Sequence, residues 1–177
     1  MFAQSMELVS LLALATLLVL AVWHDLLRRR IPNTLVLWGT LTALVLSLTP
    51  RGIGLDSALL GGMAGFLVFF SMYLFKMVGA GDVKLVAAVG MFVGWPEMAQ
   101  VCVAILITGG LVAMAWAIRT SRLQSVMRNI HTGLMQNIKT GQWPQIGQPL
   151  ISQVSHERVP YALAIGLGTA AHFVVTR

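Results

Sequence analysis

Charged residues cut this chain into long apolar segments, and their lengths are the first structural signal. Five segments are of membrane-spanning length: Leu8–His24 with 17 uncharged residues, Ile31–Pro50 with 20, Ser57–Phe75 with 19, Met98–Ile118 with 21 and Val159–Thr176 with 18. A helix rising about 1.5 Å per residue needs roughly 20 such residues to cross about 30 Å of hydrocarbon. A sixth segment, Leu85–Pro96, has only 12. By length alone it reads equally well as a re-entrant piece. The pattern predicts an all-α membrane protein.

Charge settles the number of spans. With six transmembrane helices and an outside N-terminus, Arg28, Arg29, Arg30, Lys76, Lys84, Arg119, Arg122, Arg128, Lys139 and Arg158 all fall inside, and only Arg51 and Arg177 fall outside. Cytoplasmic loops carry the excess of Lys and Arg, so the short sixth helix is accepted and both termini are placed on the periplasmic side. The first segment is not expected to be a cleaved signal peptide. It lacks a basic start, carries Glu7 before its apolar run, and is followed by Arg28–Arg30 instead of small residues.

Composition agrees. The 177 residues are 57% hydrophobic and 10% charged, with mean hydropathy +0.81, whereas a soluble domain carries about 25% charged residues. A soluble globular domain and a disordered tail are both excluded. The net charge of +6 is orientation signal, so the expected partner is the lipid bilayer and not nucleic acid. Cys102 is the single cysteine, which rules out zinc sites built on paired cysteines; neither a metal nor a cofactor is expected.

One loop is long. Residues 119–158 form a cytoplasmic stretch within what is read as a single domain, 1–177. Leu123, Met127, Ile130, Leu134 and Ile138 recur at spacings of three and four, with Arg122, Arg128, Asn129 and Lys139 on other faces. That spacing predicts an amphipathic segment on the membrane surface, or alternatively a loop helix packed on the bundle. Gly141, Pro144, Gly147 and Pro149 then predict irregular chain. Gly61/Gly65 and Gly90/Gly94 each make a GxxxG spacing, and Gly109, Gly110, Gly166 and Gly168 lie elsewhere; close helix packing is their expected role. Trp23, Trp95 and Trp116 fall near helix ends, as interfacial anchors do.

The six acids carry the chemistry. Glu7, Asp56 and Glu97 lie at outer ends; Asp25, Asp82 and Glu157 lie toward the cytoplasm. Asp25 follows Glu7 by 18 residues, about 27 Å along a helix, and Asp82 precedes Trp95 by 13, about 20 Å. Both therefore sit at or inside the cytoplasmic boundary, where an ionisable group marks function by default. Asp82 follows Gly79-Ala80-Gly81, flexible backbone leading into a helix that begins at Asp82-Val83. Irregular backbone at such depth survives in protein or beside water. Water and two carboxylates are what an aspartyl protease needs: one ionised acid takes a proton from water and the other, protonated, activates the scissile carbonyl. The plainer alternatives are an N-cap role for Asp82 and pairing of Asp25 with Arg28 or Arg29 one turn on.

Three blocks in order, Asp25 followed by Ile31-Pro32-Asn33, then Gly79-Ala80-Gly81-Asp82-Val83-Lys84-Leu85, then Pro160-Tyr161-Ala162-Leu163-Ala164-Ile165, resemble the D…IPN, GxGDxKL and PYxxAI blocks of the type IV prepilin peptidases. Ala162 stands where that family often has Gly. The resemblance implies a GxGD intramembrane aspartic endopeptidase of the bacterial inner membrane that cleaves the short basic leader from type IV prepilins at the cytoplasmic face, with Asp25 and Asp82 as the catalytic pair. It also implies the short form of Flp/Tad-type pilus systems, without the cysteine-paired insert of longer members and without their N-methyltransferase activity. Ile31, Pro32, Asn33, Gly79, Gly81, Lys84, Pro160 and Tyr161 become supporting residues, structural or facing the prepilin substrate.

Helix dipoles suggest roles within the pair. Asp82 begins a helix, which favours its carboxylate, and Asp25 ends one, which disfavours it; Asp82 is then the base and Asp25 the acid. No HExxH or GxSxG motif occurs. The competing class is a small ion- or proton-coupled transporter or pilus-assembly subunit, since paired intramembrane acids also mark ion paths. A transporter often carries an internal repeat, and the Asp25–Asn33 pattern has no counterpart after Asp82.

Overall fold

The computed structural model describes residues 2–50, 52–119 and 161–176. They form six helices and, among the described residues, no strand: α1 (Phe2–Arg28), α2 (Asn33–Ser47), α3 (Leu55–Leu74), α4 (Ala80–Val93), α5 (Glu97–Arg119) and α6 (Tyr161–Thr176). The expected amphipathic segment in 119–158, and Pro160, lie outside the described residues. Two compact units are distinguished, residues 1–109 with 160–177, and residues 110–159. The first contains everything that bears on the two acids.

Among the described residues, three helices are long and apolar enough to cross a membrane: Leu8–Arg28, Leu55–Leu74 and Glu97–Ala115. Two further apolar helices, Asn33–Ser47 and Tyr161–Thr176, are shorter. Side chains such as Leu12, Val19, Leu67 and Ile107 are exposed. In water such a surface would associate, and in lipid it is solvated.

Helix α4 behaves differently from its neighbours. Its Val83, Leu85, Val86, Ala88, Val89, Gly90, Phe92 and Val93 are all buried, and a helix apolar on every side belongs in an interior. It packs most extensively on α3, then on α2, and also touches α1 and α6. The predicted segment Leu85–Pro96 is corrected accordingly. The helix starts at Ala80 and stops at Val93, so the Gly79–Asp82 stretch is a helix's first turn and not an unwound lead.

The α3–α4 seam is made by glycines. A Cβ on Gly61 would collide with the Gly90 carbonyl oxygen, and one on Gly90 with the Gly61 carbonyl oxygen. At Gly65 it would stand 3.0 Å from the Val86 carbonyl oxygen. Without a hydrophobic drive between helices in lipid, backbone approach of this kind supplies the contact. The two GxxxG spacings thus face each other, as expected. Gly168 on α6 is pressed against Ile105 of α5, 2.6 Å from a Cβ to that Cα, whereas a Cβ on Gly110 meets nothing within 4 Å among the described residues.

Two helices end on residues with left-handed backbone. Arg29 has φ 51° and Lys76 φ 58°; the Arg29 N–H donates to the Asp25 carbonyl at 2.8 Å, and the Lys76 N–H to the Tyr73 carbonyl at 2.8 Å. Glycine usually occupies this position because a Cβ there is strained. The first turn closes the helix that carries Asp25, and the second follows α3, ahead of the Gly79–Asp82 block.

Candidate active site

Asp25 lies in the last turn of α1, inside the helix and not after it, and is only 8% exposed. Its Oδ2 accepts the backbone N–H of Ala162 at 3.2 Å. That donor exists because amides in the first turn of a helix have no carbonyl four residues earlier. Arg29 lies within electrostatic reach of the same carboxylate.

Asp82 is the third residue of α4 and partly buried. Its Oδ2 reaches back to accept the Gly79 N–H at 3.0 Å, the acidic half of a capping box. Gly79 is the N-cap, with φ −82° and ψ 154°. A Cβ there would stand 3.1 Å from that Oδ2, so the missing side chain lets the carboxylate fold over its own helix end. The alternative of an N-cap aspartate is therefore replaced by an aspartate two residues beyond the first helical position, bonded to the cap.

The start of α6 meets the first acid directly: Ala162 donates its N–H to Asp25, and Tyr161, immediately before it, feels the charge of Asp82. Tyr161 is half-buried; its ring meets Phe69 edge-on, centroids 6.3 Å apart and planes at 66°. The second and first blocks also touch. A Cβ on Gly81 would sit 3.5 Å from the Ile31 Cβ, an ordinary contact, and Lys84 Nζ donates to Asn33 Oδ1 at 3.1 Å. Pro32 is the N-cap of α2, with φ −62° and ψ 130°, and its carbonyl accepts the Leu35 and Val36 N–H groups. Chemically the cluster offers two carboxylates, a phenol and, on its exposed side, an ammonium group. Among the described residues no three His, Cys, Asp or Glu are grouped to hold a metal ion.

The dipole contrast expected between the acids does not survive. Asp25 is near the end of α1, but the amide it accepts belongs to the first turn of α6. Both carboxylates are thus turned toward helix N-termini, and the dipoles no longer separate an acid from a base. Asp56 and Glu97 sit in the first turns of α3 and α5. Three contributors escaped the sequence reading: the Ala162 amide, Phe69, and Gly109, against which the Tyr161 hydroxyl is seated. Gly109 carried a signal, as one of the glycines flagged for packing. A backbone amide carries none.

The family model described as the type IV leader peptidase family matches residues 12–118. That stretch contains Asp25, Ile31–Asn33 and Gly79–Lys84, and ends before the Pro160-Tyr161 block. The chain is 32% identical over 124 residues to the prepilin leader peptidase/N-methyltransferase of Aeromonas hydrophila, covering 64% of this chain and 42% of the relative. It is 32% identical over 114 residues to the like-named protein of Pectobacterium carotovorum subsp. carotovorum, covering 60% and 40%. For that of Klebsiella pneumoniae it is 31% identical over 107 residues, covering 56% and 47%. The matched stretch spans less than half the length of each of these relatives. No solved structure matches the chain.

Proposed function

Because the chain belongs to the type IV leader peptidase family, we propose that it is an intramembrane aspartic endopeptidase removing the N-terminal leader of type IV prepilins. Its substrates are of the Flp/Tad type, and cleavage takes place at the cytoplasmic face of the bacterial inner membrane. Asp25 and Asp82 are the catalytic pair. The observation that carries this reading is the meeting of the three blocks, although 57 residues of chain separate the two acids: Asp25 accepts the Ala162 N–H, and Lys84, two residues after Asp82, donates to Asn33.

In the proposed reaction one carboxylate, ionised, takes a proton from water as its oxygen attacks the scissile carbonyl. The other, protonated, gives its proton to the carbonyl oxygen. The tetrahedral diol collapses, the C–N bond breaks, and a proton passes to the departing amine, which becomes the new N-terminus of the pilin. Two close carboxylates share this traffic as a pair, so the resting proton belongs to both. The Gly79 and Ala162 amides hold the acids in place before substrate arrives, which lowers the reorganisation needed during reaction.

Six spans with periplasmic termini, and a single peptidase domain with a cytoplasmic loop at 119–158, complete the proposal. It is supported by three helices of spanning length among the described residues and by the ten of twelve Lys and Arg that this arrangement puts on the cytoplasmic side. The peptidase half of the relatives' name is carried over, since the blocks at Asp25 and Asp82 resemble the endopeptidase motifs. The test is direct. Purified full-length protein in detergent is mixed with an Flp-type pilin precursor and read by gel mobility. Wild type shortens the precursor; if Asp25→Asn and Asp82→Asn shorten it as well, the mechanism is wrong.

A further inference from the structure

Resting on the peptidase reading, we propose that Thr108 is a positioning residue of the reaction: its hydroxyl, donating to the Ala164 carbonyl of α6, fixes the height at which α6 presents the Ala162 amide to Asp25. The bond measures 2.9 Å and joins residues 56 apart in the chain.

The hydroxyl has a choice of acceptors. A threonine within a helix bonds back to its own preceding turn, and Thr108 has the Ala104 carbonyl at 2.9 Å and the Ile105 carbonyl at 3.1 Å. Those bonds need no second helix. Ala164 comes equally near because α6 approaches the α5 backbone one turn later: a Cβ on Gly168 would stand 2.6 Å from the Ile105 Cα and 2.7 Å from Thr108 Oγ1. A carbonyl oxygen has two lone pairs, so Ala164 keeps its helical partner and accepts the hydroxyl as well. Toward the start of α6, the Tyr161 hydroxyl fills the notch at Gly109, 2.7 Å from a Cβ built there. The contacts of Ile105 with Gly168, Thr108 with Ala164 and Gly109 with Tyr161 run antiparallel in one register. Of the three, the Thr108 bond is the one with a preferred distance and direction.

Register on α5 becomes geometry at Asp25. Helix α6 also packs on α1, where a Cβ on Gly166 would meet Val22 Cγ2 at 3.4 Å, one turn before Asp25. Ala162, Ala164 and Ile165 are fully buried, and close-packed side chains of this kind transmit a displacement instead of absorbing it. Ala162 and Ala164 lie about 3 Å apart along the helix axis, so a slide of one is a slide of the other. The Ala162 N–H reaches Asp25 Oδ2 at 3.2 Å, the long end of the usual range of about 2.7–3.2 Å. A further few tenths of an ångström weaken that bond and release the carboxylate from its direction. Thr108 acts through Ala162, which is why its role is positioning.

The experiment is steady-state cleavage of an Flp-type pilin precursor by the full-length protein in detergent, with hydrogen exchange at the Ala162 amide and thermal unfolding alongside. Of the two tyrosines, Tyr73 and Tyr161, the second alone precedes an alanine, so carbonyl-labelled tyrosine with amide-labelled alanine isolates Ala162 in one NMR cross-peak. Wild type is expected to protect this amide. Thr108→Val keeps the shape and removes the donor. It is expected to hold KM within about twofold, to lower kcat by about three- to tenfold and to speed exchange at Ala162 by a similar factor, the size for one neutral hydrogen bond. Thr108→Ser retains the hydroxyl and is expected to bring both quantities to within about twofold of wild type. Should Thr108→Val fail to fold, Thr108→Ala removes the same donor and is read in its place. Unprotected Ala162 in wild type, unchanged kcat without the hydroxyl, an equal loss in Thr108→Ser, or a fall in kcat with exchange at Ala162 unaltered overturns this inference. With Asp25→Asn and Asp82→Asn inactive, the peptidase reading then stands; cleavage by the aspartate variants overturns both.

Discussion

The carboxylate of Asp25 accepts the backbone N–H of Ala162 at 3.2 Å, across 137 residues of chain. This bond ties α1 to α6 at the candidate site. It also gives a buried acid a donor that no substitution except proline can remove. The consequences for variants follow from which atoms each change touches.

Replacing either acid by its amide keeps size and an acceptor oxygen but removes the carboxylate's proton exchange. Asp25→Asn can still accept the Ala162 N–H, and Asp82→Asn the Gly79 N–H. Both variants are expected to keep the wild-type melting temperature in detergent to within a few degrees, while precursor cleavage falls by about 10²- to 10⁴-fold, the usual share of acid–base catalysis. Circular dichroism melts and a timed cleavage gel check the two halves separately.

The two glycines before Asp82 are not equivalent. A Cβ at Gly79 presses on Asp82 Oδ2 from 3.1 Å, whereas one at Gly81 meets Ile31 at an ordinary 3.5 Å. Gly81→Ala is therefore expected to retain cleavage and to gain up to about 1 kcal/mol of stability from helix propensity. Gly79→Ala is expected to lose cleavage by pushing the carboxylate aside. Equal loss in both would show that Gly81 is needed for something other than packing.

The glycine seam tests the packing account. At Gly61 and Gly90 the obstructing atoms are backbone carbonyl oxygens, which cannot rotate away as a side chain can. Gly61→Ala and Gly90→Ala are expected to destabilise by about 1–3 kcal/mol, while Gly110→Ala, in open space, is expected to be neutral or slightly stabilising. Thermal unfolding of the three variants in one detergent ranks them.

Relief of backbone strain gives the opposite sign. Arg29 and Lys76 hold left-handed conformations that cost an L-residue roughly 1–2 kcal/mol, part of which glycine gives back through its greater entropy when unfolded. Arg29→Gly and Lys76→Gly are each expected to stabilise by about 0.5–1 kcal/mol. A lower melting temperature in either would mean that the charge at the helix end outweighs the strain.

Much of the molecule was legible in one dimension. Run length and charge are local quantities, so the long apolar helices and the turn at Ile31-Pro32-Asn33 that starts α2 could be read directly. The blocks around the acids resembled one family, and the match over residues 12–118 bears that out. The beginning of α4 was misplaced because Gly-Ala-Gly suggests loose chain, whereas an aspartate at the third helical position, bonded to the cap amide, makes the same glycines the first turn.

What the sequence by itself determined is therefore the set of helices and the two acids worth attention. Tertiary structure alone decided what holds Asp25, an amide 137 residues away, whereas Asp82 is held by the cap amide of its own helix. The reason is physical. Hydrophobicity and charge belong to side chains and are visible residue by residue, but every residue except proline has the same N–H, and only the geometry of a helix end leaves one unpaired and aims it at a carboxylate.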